Sequence, residues 1–193
     1  MNKGRMEAFS DGVVAILITI MILELRAPTG FEFASLRPVF PSLSAYVLSY
    51  VFIGIYWNNH HHMLQAAERV NGAVLWANLH FLFWLSLVPF VTAWLGHYYT
   101  ESLPTALYGA VLLMCGVAYT MLQRTIISEE GYQSRLATAV GIDRKGMLSV
   151  LLYAAAIPIA FVRPWISDAC YITVALMWLV PDKRIEKRLN SSS

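Results

Sequence analysis

The sequence predicts an all-α integral membrane protein, one domain over residues 1–193 in which six apolar helices form a single bundle. Composition, the spacing of apolar segments and the placement of positive charge predict it. Hydrophobic residues make up 58% of the chain and charged residues 13%, whereas a soluble domain carries about a quarter charged residues. That much apolar surface must face something other than water. Apolar segments run roughly over 9–25, 40–57, 73–95, 103–122, 147–162 and 165–180. Most approach the ~20 residues that carry a helix across a bilayer, and together they leave no room for a second domain. In this arrangement eleven Lys and Arg fall on one side, against Arg26, Arg37 and Arg163 on the other. Positive charge stays cytoplasmic, so both termini are expected there, as an even number of spans requires.

Each span follows from local signals. Lys3 and Arg5 before an apolar run resemble a secretory signal, but Glu7 and Asp11 interrupt the run and no small-x-small cleavage site precedes Pro28; a retained first span is expected. The second span ends in Asn58, Asn59 and three histidines, His60 to His62. In the third, Asn78, His80, Trp84, Ser86 and Thr92 suit hydrogen bonds between helices, and Pro89 suits a kink. Ala45, Ser49, Gly109, Gly116, Ala156 and Ala160 offer small surfaces for close helix contact in the second, fourth and fifth spans. The stretch 124–146 reads as a cytoplasmic loop with some surface helix. Arg163-Pro164 reads as a tight turn between two short spans, because a residue before proline avoids the helical region. Tyr56, Trp57, Tyr98, Tyr99 and Trp178 lie near span ends, where amphipathic rings favour the headgroup layer. The tail after residue 181 is basic and then serine-rich, a frayed end beside anionic lipid.

Several function classes are excluded. A net charge of +2, spread over span ends, argues against a nucleic-acid partner. Cys115 and Cys170 lie in apolar stretches, where cysteine acts as a small hydrophobe rather than half of a disulfide. Three adjacent histidines point in different directions on a helix and chelate a metal poorly. Ser10 and Asp11 are neighbours and cannot both orient one imidazole as a hydrolytic triad does. With no phosphate loop or dinucleotide fingerprint either, neither enzyme activity nor a cofactor is expected.

The first span holds Arg5, Glu7, Ser10, Asp11 and Glu24, and ionisable groups at membrane depth cost several kcal/mol unless they are paired or face water. At about 100° per residue, Gly12, Ile16, Thr19, Ile20 and Leu23 cluster within about 60° of Ile16, whereas Asp11 points about 140° and Ser10 about 120° away. One face is therefore a branched apolar stripe with one hydroxyl, and the other carries a polar pair. A proton-coupled transporter using Asp11, Glu24 and His60 as a relay is the rival reading, against which stand the lack of an internal repeat and the expected lack of helices broken near mid-membrane.

The run Arg5-Met6-Glu7-Ala8-Phe9-Ser10-Asp11, an R-x-x-x-F-S-D motif opening the first of six spans, resembles the transmembrane protein 175 family of potassium channels. The resemblance is sharpest over residues 5–24, is supported by 57–61, and extends over the remaining spans as hydropathy. It implies that a single six-span unit assembles with itself as a homotetramer in the lipid bilayer of the cell membrane, with the first span lining a central pore. It places Ile16 at the narrowest ring, with Thr19 or Ile20 and then Leu23 outward from it, and potassium as the permeant ion with a weak preference over sodium. Arg5, Phe9, Ser10 and Asp11, with His60 and His61, are then a structural clamp. Asp11 is expected to pair with Arg5 of a neighbouring turn or chain, or with the second-span histidines.

Overall fold

The computed structural model describes residues 3–131, 133–140 and 143–179. Among these, eight α-helices follow in order: α1 (Lys3–Leu23), α2 (Phe40–Ala66), α3 (Gly72–Ser86), α4 (Val88–His97), α5 (Ser102–Glu130), α6 (Arg135–Val140), α7 (Arg144–Ala160) and α8 (Pro164–Leu179), with a 3-10 turn at Phe33–Leu36. No strand occurs among the described residues.

Helix ends follow from proline, glycine and capping side chains, and several helices outrun their apolar segments. α1 begins at Lys3, so the whole R-x-x-x-F-S-D motif is helical, and it stops before Pro28. α2 starts with Pro41 in its first turn, where a missing N–H costs nothing, and continues past Trp57 through the histidines to Ala66. Asn71 caps α3 by accepting from the Val74 N–H at 3.0 Å. The kink expected at Pro89 is a break, so the expectation of no broken helix does not hold: α3 ends at Ser86 and α4 starts at Val88, with Leu87 serving both ends. α5 also runs further than expected. Its last residues, 124–130, take up the start of what reads in the sequence as a loop, and Gly131 ends it at φ 92°, a left-handed conformation that glycine adopts without strain. α6 is the short surface helix, and Asp143 caps α7 through the Gly146 N–H at 2.8 Å. The turn between α7 and α8 closes with Arg163 N–H on the Ile159 carbonyl at 2.8 Å. The basic tail after residue 181 and Gly141 lie outside the described residues.

Among the described residues, four helical segments are long and apolar enough to cross a membrane, namely Lys3–Leu23, Phe40–Ala66, the broken Gly72–His97 and Ser102–Glu130. α7 and α8 are shorter, at 17 and 16 residues. A chain with four such segments is a multi-pass membrane protein.

The core is built around α5, whose Tyr108, Leu112, Cys115, Leu122 and Ile126 are fully buried and which packs against α3, α4, α7 and α8. Small residues set the closest approaches. At Gly109 an added Cβ would collide with the Tyr171 ring, and at Gly96 it would meet the Ser42 backbone at 2.8 Å. Buried hydroxyls are satisfied within the bundle. Thr92 donates to Ser49 at 2.6 Å, Ser49 and Tyr108 share a hydrogen bond at 2.9 Å, and Tyr171 donates to the Thr105 carbonyl at 3.0 Å. Cys115 and Cys170 are both free thiols. α1 lies against α2, α3 and α4, and its remaining side is uncovered.

Candidate functional site

The two sides of α1 are chemically distinct. Met6, Ser10, Val14, Leu17 and Met21, spaced by three or four residues, are buried against the bundle. On the far side Gly12, Ile16, Thr19, Ile20 and Leu23 are all exposed, with Ile16 58% and Leu23 81% accessible. At about 100° per residue the centres of the two sets lie about 140° apart. Thr19 spends its hydroxyl proton on the Ile16 carbonyl at 2.8 Å, so the stripe presents branched carbon and oxygen lone pairs, with no free donor from that side chain. The stretch from Ile16 to Leu23 rises about 10 Å along the axis. Nothing stands within 4 Å of a Cβ added at Gly12, so the single chain places nothing over this end of the stripe.

A set of polar contacts also joins the amino-terminal end of α1 to α2 and α3. Ser10 donates to the Met6 carbonyl at 2.9 Å and accepts from the Asn78 amide at 3.0 Å. The Asn78 carbonyl oxygen faces His60 Nε2 at 2.8 Å. With the amide nitrogen given to Ser10, Asn78 has only an acceptor left for the imidazole, so His60 carries its proton on Nε2. Ser10, Asn78 and His60 are all buried; one buried chain of hydrogen bonds thus joins α1, α3 and α2. Beside it Trp57 donates its indole N–H to Asp11 Oδ1 at 2.9 Å, and His61 Nδ1 lies 3.1 Å from Glu7 Oε1, an ion pair when the imidazole is protonated. One turn earlier Lys3 donates to the Ala67 carbonyl at 2.9 Å.

The residues singled out from sequence are therefore distributed over both sides. Ile16, Thr19, Ile20 and Leu23 share the uncovered side. Ser10, Asp11, His60 and His61 all lie among the polar contacts between α1 and its neighbouring helices. Within the chain Asp11 takes Trp57 as its partner, in place of the Arg5 or histidine expected for it. Arg5 is exposed, and Phe9 is 55% exposed on the outside of the subunit. The interhelical hydrogen bonding expected of Asn78 is present, with Ser10 and His60 as its partners, whereas the links through Trp57, Glu7 and Lys3 have no counterpart in the sequence reading. An indole N–H at membrane depth must find an acceptor, and an asparagine inside an apolar span must do the same; those were the available signals. Asp11 and His60 belong to separate hydrogen-bonded groups.

Residues 5–89 match the family described as endosomal/lysosomal potassium channel TMEM175. The chain is 50% identical over 192 residues to a potassium channel of Chryseobacterium sp. (strain P1-3), with all of both chains covered. It superposes with a TM-score of 0.77 and 25% identity on the crystal structure of a lysosomal potassium-selective channel TMEM175 homolog from Chamaesiphon minutus, over 92% of this chain and 96% of that one. It is also 32% identical over 86 residues to the human endosomal/lysosomal proton channel TMEM175, which covers 38% of this chain and 17% of that one.

Proposed function

The chain belongs to the TMEM175 family of potassium channels, and from that premise we propose that it conducts potassium through a pore formed where four copies bring the uncovered face of α1 together. The observation that carries this reading is the pair of opposed faces on α1: five residues packed into the bundle, and a stripe from Gly12 to Leu23 left open by its own subunit. One six-span unit cannot enclose a symmetric path with a single lining helix, whereas a cyclic assembly presents that helix once per subunit.

Six spans follow if α3 and α4 act as one broken crossing and the shorter α7 and α8 each cross. Both termini then lie on the side rich in Lys and Arg, the cytoplasm. In the cell membrane the exposed Arg5 of each subunit stands at the cytoplasmic mouth of the pore. Ile16 forms the narrowest ring, with Thr19 or Ile20 and then Leu23 outward. Four converging branched side chains make a dry constriction, which passes an ion only when the ring widens or the ion sheds part of its hydration. Potassium holds its water less strongly than sodium and so loses less on the way through. This supports a modest preference for potassium without a filter of backbone carbonyls. The clamp of Ser10, Asn78 and His60 sets the rotation of α1, and with it the residues that reach the axis. A proton-coupled transporter needs Asp11 and His60 in one relay, and their separate hydrogen-bonded groups give that reading no support.

The test is recording from the purified protein in lipid bilayers with potassium on the cytoplasmic side and sodium opposite. Native channels should reverse at a negative potential. Ile16→Asn, which wets and widens the ring, should move the reversal potential to a less negative value. An unchanged reversal potential would remove Ile16 from the ion path.

A further inference from the structure

The connection between α1 and α2 folds tightly while keeping its two phenylalanines out of the bundle. Phe31 is 100% exposed and Phe33 93%, the two most exposed large apolar side chains among the described residues. The backbone that carries them is hydrogen-bonded. Ser35 N–H donates to the Glu32 carbonyl at 2.9 Å, Arg37 N–H to the Ala34 carbonyl at 3.2 Å and Val39 N–H to the Leu36 carbonyl at 3.0 Å. A side chain at Gly30 would strike Ser35 Oγ, so the chain folds closely back on itself there. At Glu32 the backbone is extended, with φ −91° and ψ 157°. Successive side chains along an extended backbone point to opposite sides, so Phe31 and Phe33 share one side and Glu32 takes the other.

A lone apolar side chain in the open needs no explanation, but a hydrogen-bonded turn that presents two aromatic rings on one side marks a contact surface. Its position names the partner. α1 ends at Leu23 and α2 starts at Phe40, and both are long and apolar enough to cross a membrane, so the turn is held at the bilayer boundary by both its ends. The apolar surface also continues past it. Phe40, Leu43, Val47 and Tyr50 recur every three or four residues along α2 and are all exposed, a stripe that runs from the turn into the span. Charge points the same way. Arg26 and Arg37 flank the phenylalanines, are exposed and make no ion pair among the described residues. They are two of only three Lys and Arg that the six-span arrangement places on the outer side, and guanidinium groups suit lipid phosphate. Of the two acids in the connection, Glu32 faces away from the rings and Glu24 borders a pocket with Tyr46 and His97.

We propose that this turn docks on the outer leaflet of the phospholipid bilayer, with Phe31 and Phe33 among the acyl chains just below the headgroups and Arg26 and Arg37 on lipid phosphates. Apolar rings flanked by basic groups hold a segment to a membrane surface in this way. The leaflet follows from the six-span arrangement, but no pore is required. A subunit that carries no current tests the docking as well as a channel does, so the two readings fail separately.

The test places a nitroxide spin label at Phe31→Cys or Phe33→Cys, one at a time, in the full-length protein with Cys115 and Cys170 replaced by alanine. The protein is held in nanodiscs of phosphatidylcholine and phosphatidylglycerol. Power-saturation electron paramagnetic resonance then compares collisions with oxygen, which concentrates among acyl chains, and with a water-soluble nickel chelate. Both labels should meet oxygen more than nickel, and Arg26→Gln combined with Arg37→Gln should lower that ratio. More collisions with nickel than with oxygen at both sites place the turn in water and overturn the proposal. Few collisions with either reagent, rising when each disc holds a single chain, assign the rings to a neighbouring copy and overturn it as well. A ratio that the double arginine variant leaves unmoved overturns the phosphate contact.

Discussion

Asn78 closes two contacts with one side chain, giving its amide protons to Ser10 and its carbonyl oxygen to His60. Replacing it by alanine leaves a buried imidazole N–H without its acceptor and Ser10 without a donor. Such a loss costs about 1–2 kcal/mol, at the upper end of what hydrogen bonds between membrane helices are worth. Asn78→Ala should therefore lower the thermal midpoint of the detergent-solubilised protein, and Ser10→Ala in the same background should add little, because the partner is already gone. Every member of this network carries a signal in the sequence, since each is polar within or beside an apolar run. Their pairing was not legible. Which residues share a depth depends on how far each helix extends, and both α1 and α2 continue beyond their apolar segments. Trp57 reads from composition as an interface ring, yet its N–H is what Asp11 accepts.

For α1 the periodicity of the sequence separates the same two sides that burial separates, because a helix has one repeat and its apolar stripe is branched throughout. The bounds of α5 were harder to read. Arg124, Glu129 and Glu130 suggest a loop, but no proline or glycine falls between Arg124 and Gly131, and charge alone does not end a helix. Its last residue has a task there: Glu130 Oε1 accepts from the backbone N–H groups of Glu68 and Arg69, at 2.5 and 3.0 Å, and so ties the α2–α3 connection to the end of α5. Glu130→Ala should leave the bundle folded while speeding amide hydrogen exchange over residues 67–71, measured by mass spectrometry. At the opposite end of α5 the contact with α8 tolerates no side chain. Gly109→Ala drives a methyl group into the Tyr171 ring, and overpacking of this kind costs about 1–3 kcal/mol. A lowered thermal midpoint checks it.

For the whole molecule, composition and span spacing were enough to read a membrane bundle, because lipid leaves a chain few ways to satisfy its backbone. What surrounds α1 was not legible from them, since an apolar stripe suits lipid, a neighbouring helix or a pore equally well. Cysteine cross-linking separates these surroundings. In a background with Cys115 and Cys170 replaced by alanine, Ile16→Cys should form disulfides between chains on mild oxidation, whereas Val14→Cys, buried at 7% exposure in its own subunit, should not.

The open face of α1 carries a thermodynamic corollary. Leu23, so exposed on a lone subunit, is as comfortable among acyl chains as against a neighbour, so the usual aversion to water contributes nothing to bringing copies together. Association then answers to crowding in the plane of the bilayer. Thinning the protein with added phospholipid at constant total mass should extinguish conductance far more steeply than in proportion to the mole fraction of chains.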